Sequence, residues 1–116
     1  MAELLTIEDL PAGFDYPSAF VRVVELGLVN LEPWWILEGD LLRTRQEGLA
    51  RRYPERDLVV FARRVDRDDV ACWDLQSGAV SIVHDFASGG FEQVDSLPDF
   101  ESWLRRAIED LIEFGQ

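Results

Sequence analysis

Two residues of this sequence, Cys72 and His84, are suited to nucleophilic or general-base chemistry, and both fall in segments predicted as strands. Asp85 follows His84 directly, and because adjacent strand residues point to opposite faces, Asp85 is badly placed to orient the imidazole. Cys72 lies in the middle of an apolar run, where a buried, inert thiol is expected. A Cys72–His84 pair across consecutive strands, as in a small hydrolase, remains a remote alternative.

Aspartates concentrate just before and at the start of the predicted strand that contains Cys72: Asp66, Asp68 and Asp69, with Asp74 further along. Their spacing invites comparison with a calcium loop. The glycine and the later glutamate of such a loop are missing, however. Aspartate is also a good turn former. We therefore expect a solvent-facing acidic turn and neither a metal nor a cofactor.

The composition narrows the class of protein. The 116 residues carry a net charge of −12, and all 11 basic residues are arginines. A chain this acidic is a poor candidate for nucleic-acid binding, and no apolar run is long enough for a membrane span. The single cysteine excludes an internal disulfide and fits a reducing cytoplasm. The N-terminal segment does not have the pattern of a secretory signal.

Charge is distributed unevenly along the chain. Residues 1–42 carry 8 acids and 1 arginine, residues 43–67 carry 4 acids and 8 arginines, and residues 68–116 carry 11 acids and 2 arginines. The net charges of −7, +4 and −9 describe an acidic body with a basic middle segment. Such a protein steers basic partners toward itself, although an acidic surface also serves solubility alone.

Hydrophobic periodicity and turn residues predict one α+β domain over residues 1–116. We expect helices at 15–26, 41–52 and from about 97 to the C-terminal end, with strands at 31–37, 58–63, 69–75, 79–86 and 91–94. The fold class is thus a mainly antiparallel sheet of about four to five strands, packed by N-terminal and C-terminal helices. The apolar strands at 58–63 and 79–86 indicate burial on both faces of the sheet.

The last helix has an apolar stripe from Phe100 to Ile112 at helical spacing, which predicts a buried face. Its final turns carry Glu109, Asp110 and Glu113, and acids at this end oppose the helix dipole. Two explanations stay open. Either these acids bind a basic partner, or solvent screens their charge so that they destabilise the helix only slightly.

Trp34 and Trp35 are adjacent in a predicted strand, so one of them faces away from the core. An outward tryptophan lies either under another helix or in an interface, where aromatic side chains concentrate.

Several short motifs together resemble the SUKH superfamily, which includes the yeast cell-wall-assembly regulator family and many bacterial immunity proteins. The resemblance covers nearly the whole chain. It departs at the acidic, arginine-rich turn of residues 63–69 and in the arginine-rich segment 38–57. The motifs are Leu10-Pro11 with an aromatic helix through Tyr16 and Phe20 to Gly27; Phe61-Ala62, Val70 to Asp74, Gly78-Ala79-Val80 and His84-Asp85; and Asp95-Ser96 with Phe100 and Trp103-Leu104.

The resemblance implies an α+β fold and a protein-binding role without catalytic residues. Many bacterial members neutralise a cognate toxin, often a nuclease. We therefore expect a cytoplasmic, non-enzymatic immunity protein that binds a basic protein, itself a monomer or weak homodimer. An intracellular scaffold or regulatory domain is the alternative. The predicted partner-binding residues are Asp66, Asp68, Asp69, Glu109, Asp110, Glu113, Trp34 and Trp35.

Overall fold

The computed structural model describes residues 3–6 and 8–115. Across these residues the helices are α1 (Ser18–Glu25), α2 (Gly39–Arg52) and α3 (Phe100–Phe114). The strands are β1 (Asn30–Leu31), β2 (Trp34–Ile36), β3 (Leu58–Arg64), β4 (Asp69–Asp74), β5 (Val80–His84) and β6 (Gln93–Leu97). None of the helices in the described ranges has both the length and the apolar character needed to cross a membrane.

All strands described belong to one sheet in which each pairs antiparallel with the next, in the order β1-β2-β3-β4-β5-β6. The predicted α+β class with N-terminal and C-terminal helices is confirmed. The sheet has six strands, slightly more than expected. The additional strand, β1, is two residues long, too short to leave a periodic signal in the sequence.

The centre of the sheet is covered on both faces, as its apolar strands predicted. Every residue of β4 is buried, and so are the first five residues of β3. On one face, α1 and α3 close over a cluster of aromatic rings. Phe61 lies at a β-bulge, 4.3 Å from Trp73 between ring centroids, and Phe20 of α1 lies 4.9 Å from the same tryptophan. Phe100 and Trp103 of α3 complete the cluster.

The opposite face of the sheet is covered by α2, which runs beside β3. The side-chain amide of Gln46 accepts a hydrogen bond from the backbone N–H of Val60 at 2.9 Å and donates one to the carbonyl of Leu58 at 2.8 Å. Gln46 thus hydrogen-bonds to β3 where β2 no longer pairs with it, because β2 pairs only with residues 62–64. These contacts fix α2 against the sheet.

The start of α3 and its exposed end both differ from expectation. Residues 93–97 belong to β6, so the helix begins at Phe100, and Asp99 caps it by accepting a 2.8 Å hydrogen bond from the backbone of Ser102. The predicted apolar stripe is buried at Phe100, Trp103 and Ala107. It is exposed at its end, because nothing in the described part of the chain covers Ile108, Leu111 and Ile112.

Candidate functional site

Trp34 faces inward and ties α3 to the sheet. Its side chain is 3% exposed, its ring lies 5.5 Å from that of Trp103, and its indole N–H donates a 3.0 Å hydrogen bond to Asp110 Oδ2. Two of the predicted partner-binding residues, Trp34 and Asp110, are therefore brought together as one internal contact. Neither presents a freely exposed side chain.

Arg64 joins Asp110 to the acidic turn. Its guanidinium donates hydrogen bonds to Asp66 at 3.0 and 3.1 Å, and its Nη1 lies 3.6 Å from Asp110 Oδ2. The hydrogen bonds from Arg64 hold the pKa of Asp66 below its ordinary value. Sequence reasoning missed Arg64, since its closeness to Asp110 depends on how α3 lies across the sheet. The only local signal was its position two residues before Asp66.

The acidic turn presents fewer free carboxylates to solvent than the sequence suggested. Asp69 is buried at the start of β4 and lies opposite His84 in the β4–β5 pairing, with 2.9 Å between its Oδ1 and the His84 Nδ1. Arg67 approaches the same carboxylate at 3.7 Å. Asp68 is exposed. Asp68 is therefore the member of the turn best placed to meet a partner.

A small polar cavity of about 100 Å³ lies between the sheet and α3. Three arginines and three aspartates line it together with two tryptophans, so its formal charges balance. Its lining residues are Trp34, Arg64, Arg67, Asp69, Ile82, Val94, Asp95, Trp103, Arg106 and Asp110. The indole N–H of Trp103 has no hydrogen-bond acceptor among the described residues. A volume of this size admits a few water molecules.

The exposed end of α3 combines apolar and acidic side chains. Glu109 and Glu113 face solvent beside four exposed hydrophobic residues: Ile108, Leu111, Ile112 and Phe114. The last turn of the helix carries no basic residue. We call these six residues the acidic end of α3. Exposed hydrophobic and acidic side chains therefore lie side by side at this end of the helix.

Trp35 lies on the opposite face of the sheet, as strand alternation requires. Its side chain is 37% exposed and lines a cavity of about 250 Å³ with Leu41 of α2 and Val65. Leu41 also lines a second cavity, of about 320 Å³, whose walls include Arg45, Arg51, Arg52 and Phe86. We call the two adjoining cavities the α2 groove. Trp35 is therefore separated from the other predicted binding residues.

The arginines of the basic segment neutralise acids buried beside α2. Arg52 donates two 2.7 Å hydrogen bonds to Asp85, and Arg45 donates one at 3.0 Å. Burial alone would raise the pKa of Asp85, but the hydrogen bonds from Arg52 and Arg45 outweigh it and hold that pKa below its usual value. Arg56 similarly pairs with Asp74 at 3.1 Å and with Glu92 at 2.9 Å.

Cys72 and His84 do not meet. In the β4–β5 pairing Cys72 lies opposite Ser81, whereas His84 lies opposite Asp69 at the end of the strand. The Cys72 side chain is fully buried, and burial raises the pKa of its thiol. The thiolate that a hydrolase nucleophile requires is therefore disfavoured, and the structure offers it no nearby histidine.

Within residues 3–6 and 8–115, no three His, Cys, Asp or Glu side chains are grouped so that they could hold a metal ion. Comparison with known proteins adds no relative: no protein-family model, no curated protein and no solved structure matches the chain. Function must therefore be argued from the surfaces described above.

Proposed function

We propose that the chain is a non-enzymatic protein-binding module that captures a basic protein through the acidic end of α3. The observation that carries this proposal is the uncovered C-terminal half of the apolar stripe of α3, whose first half is buried. Phe100, Trp103 and Ala107 are buried, while Ile108 and Ile112 are 41% and 54% exposed. Burying apolar side chains of this kind against a partner is favourable by about 25 cal/mol for each Å² removed from water.

Charge supports a basic partner for this surface. Glu109 and Glu113 flank the exposed apolar side chains, and the whole chain carries a net charge of −12. A field of this sign speeds the approach of cationic proteins and repels acidic ones. Asp68 adds an exposed carboxylate on the acidic turn. The same turn contains Asp66, which is linked to α3 because Arg64 binds Asp66 and lies close to Asp110.

The partner class that we favour is a cognate toxin, with nucleases as leading candidates, which makes the chain an immunity protein of the SUKH type. Nucleases carry basic surfaces that bind phosphates, so an acidic protein can block them by covering or imitating the nucleic acid. The support for this assignment is the resemblance of the sequence motifs together with the acidic, apolar surface.

The test begins with capture of the partner. The tagged chain is used as bait in extracts of its native host, and the retained protein is identified and purified. Its dissociation constant is then measured by calorimetry for the wild type and for the Glu109→Lys/Glu113→Lys variant. Reversing two charges beside an interface should weaken binding about 10-fold or more, with the larger effect at low salt.

A matched control is the Glu55→Lys/Asp57→Lys variant, which changes the net charge equally but lies in the exposed segment between α2 and β3. It should bind nearly as the wild type does. For a toxin partner, co-expression of the wild-type chain should restore growth of cells that make the toxin, and the α3 variant should restore it less. Equal affinity of both double variants would overturn the proposed surface, and several weak partners would favour a scaffold.

A further inference from the structure

The α2 groove is an uncovered apolar surface on the opposite side of the sheet from α3. Leu41 is 69% exposed, Phe86 is 61% exposed, and Trp35 and Val65 are each more than a third exposed. The two cavities that form the groove have volumes of about 250 and 320 Å³ and share Leu41. Of the residues in this groove, tryptophan and arginine are among those enriched at interface hot spots.

The groove is locally basic in an acidic protein. Its lining contains four arginines, Arg45, Arg51, Arg52 and Arg63, against two acids, Glu38 and Asp40. Of these acids, Asp40 is paired with Arg43, and the buried Asp85 lies below. Arg43 does not line the groove, and it also binds Glu3. With Asp85 counted, the four lining arginines face three acids, and Arg51 is exposed. An acidic apolar segment matches this surface.

Phe86 is held in an unusual conformation on the wall of this groove. Its φ of 67° lies in the left-handed region, which a residue with a bulky side chain adopts only at a cost in free energy. Its N–H donates a 2.9 Å hydrogen bond to Asp85 Oδ1, and the guanidinium of Arg52 lies 4.0 Å from the ring centroid. Strained residues of this kind concentrate at sites that bind.

We infer that the α2 groove binds the acidic end of α3 from a second copy of this chain. The two surfaces are complementary: one offers exposed apolar side chains with Glu109 and Glu113, and the other offers exposed apolar side chains with arginines. The acidic end of α3 and the α2 groove lie on opposite faces of the sheet, so the α3 helix of one chain cannot fill the groove of the same chain. Trp34 packs on Trp103 of α3, and Trp35, which lines the groove, points to the other face of the sheet.

A contact between two different surfaces is heterologous, so it joins copies head to tail. Such association grows with concentration and forms chains or rings, unlike a two-fold dimer, which uses the same surface on both copies. The inference uses the same α3 surface as the proposed function. Self-association would therefore compete with the capture of a basic partner.

Sedimentation equilibrium over a range of protein concentrations tests this inference with two variants. The Leu41→Ser/Arg51→Glu variant disables the groove, and the Ile112→Ser/Glu113→Arg variant disables the acidic end of α3. All four positions are exposed, so both variants should fold, which circular dichroism checks. The wild-type mass should rise above the monomer value of 13.3 kDa with concentration, and each variant alone should stay at that value.

Mixing the two variants is the decisive step, since each retains the surface that the other lacks. An equimolar mixture should form a 1:1 complex of about twice the 13.3 kDa monomer mass and grow no further. The Glu55→Lys/Asp57→Lys control should associate as the wild type does. A wild type that stays monomeric up to about 1 mM, or variants that do not complement each other, would overturn the inference.

The groove variant also separates this inference from the proposed function. Because it keeps the acidic end of α3 intact, it should capture the basic partner at least as tightly as the wild type does. Loss of self-association with capture retained supports both proposals. Capture without any wild-type self-association refutes the inference alone, and self-association without capture refutes the proposed function alone.

Discussion

Gly48 lies directly under the guanidinium group of Arg52, one turn further along α2. A Cβ atom added at Gly48 would stand 2.7 Å from Arg52 Nη2 and 2.9 Å from Nη1. To reach an ordinary contact of about 3.5 Å the guanidinium would have to retreat by roughly 0.8 Å. If the guanidinium moved directly away from the carboxylate, its two hydrogen bonds to Asp85, both 2.7 Å long, would lengthen to about 3.5 Å, beyond the ordinary range. Because these bonds hold the end of the Arg52 side chain in place, we expect the displacement to weaken them.

Two opposing effects set the result of Gly48→Ala. Alanine stabilises a helix interior by about 1 kcal/mol relative to glycine. Removing one partner of a buried ion pair costs about 3–5 kcal/mol, which we reduce to about 2–3 because Arg45 and the Phe86 N–H still bind the Asp85 carboxylate. We therefore expect Gly48→Ala to lower the free energy of unfolding by about 1–2 kcal/mol.

Equilibrium unfolding in urea, followed by tryptophan fluorescence, measures this difference. The matched experiment repeats the substitution in an Arg52→Ala background. There the steric conflict is gone, and alanine at position 48 should stabilise the protein by about 1 kcal/mol. The opposite signs in the two backgrounds would report the coupling between Gly48 and Arg52. Stabilisation of equal size in both backgrounds would refute the reasoning.

Two further predictions concern the contacts of α2. Asp85→Asn should lower the unfolding free energy by about 2–4 kcal/mol at pH 7. Since the pKa of Asp85 is depressed in the folded protein, its carboxylate stabilises the fold above the unfolded pKa of about 3.9, and this contribution disappears as pH falls through the folded pKa. Unfolding free energies measured from pH 7 to pH 2 should thus fall less steeply for Asp85→Asn than for the wild type, and parallel curves would contradict this. Gln46→Ala removes both hydrogen bonds to β3 and should cost about 1–3 kcal/mol in urea unfolding, whereas Glu47→Ala, on the exposed side of α2, should cost less than about 0.5 kcal/mol.

The central strands were predictable because their signal is local. The apolar runs expected at 58–63, 69–75 and 79–86 correspond to β3, β4 and β5 with boundaries shifted by a residue or two. Continuous apolar character also indicated burial on both faces, since a sheet with one wet face would show clean alternation. Glycine is unfavourable in the interior of a helix, so the sequence offers no local reason for Gly48 in α2. Its role became visible only with Arg52 folded over it.

The candidate site was less predictable because its contacts join residues far apart in sequence. Alternation required one of Trp34 and Trp35 to face outward, and only the packing of α3 decides which one. Asp69 has the sequence context of an exposed turn, but in the structure it is buried and lies opposite His84 in the pairing of β4 with β5. Such cross-strand partners depend on register, which the composition of either strand alone does not reveal.

The distribution of charge in this chain is more informative than its net value of −12. Three arginines of the basic segment, Arg45, Arg52 and Arg56, bind acids buried beside α2, so much of the positive charge there stabilises the fold. Arg51 and Arg63 still leave the groove basic, while the acidic end of α3 has no cation in its last turn. Charged surfaces that served solubility alone would need neither the exposed isoleucines of α3 nor the exposed Trp35 and Phe86 of the α2 groove. Because each charged surface is accompanied by uncovered apolar side chains, desolvation on contact would strengthen the attraction between opposite charges. The two proposals therefore assign these surfaces opposite partners: a basic protein for the acidic end of α3 and an acidic, apolar segment for the α2 groove.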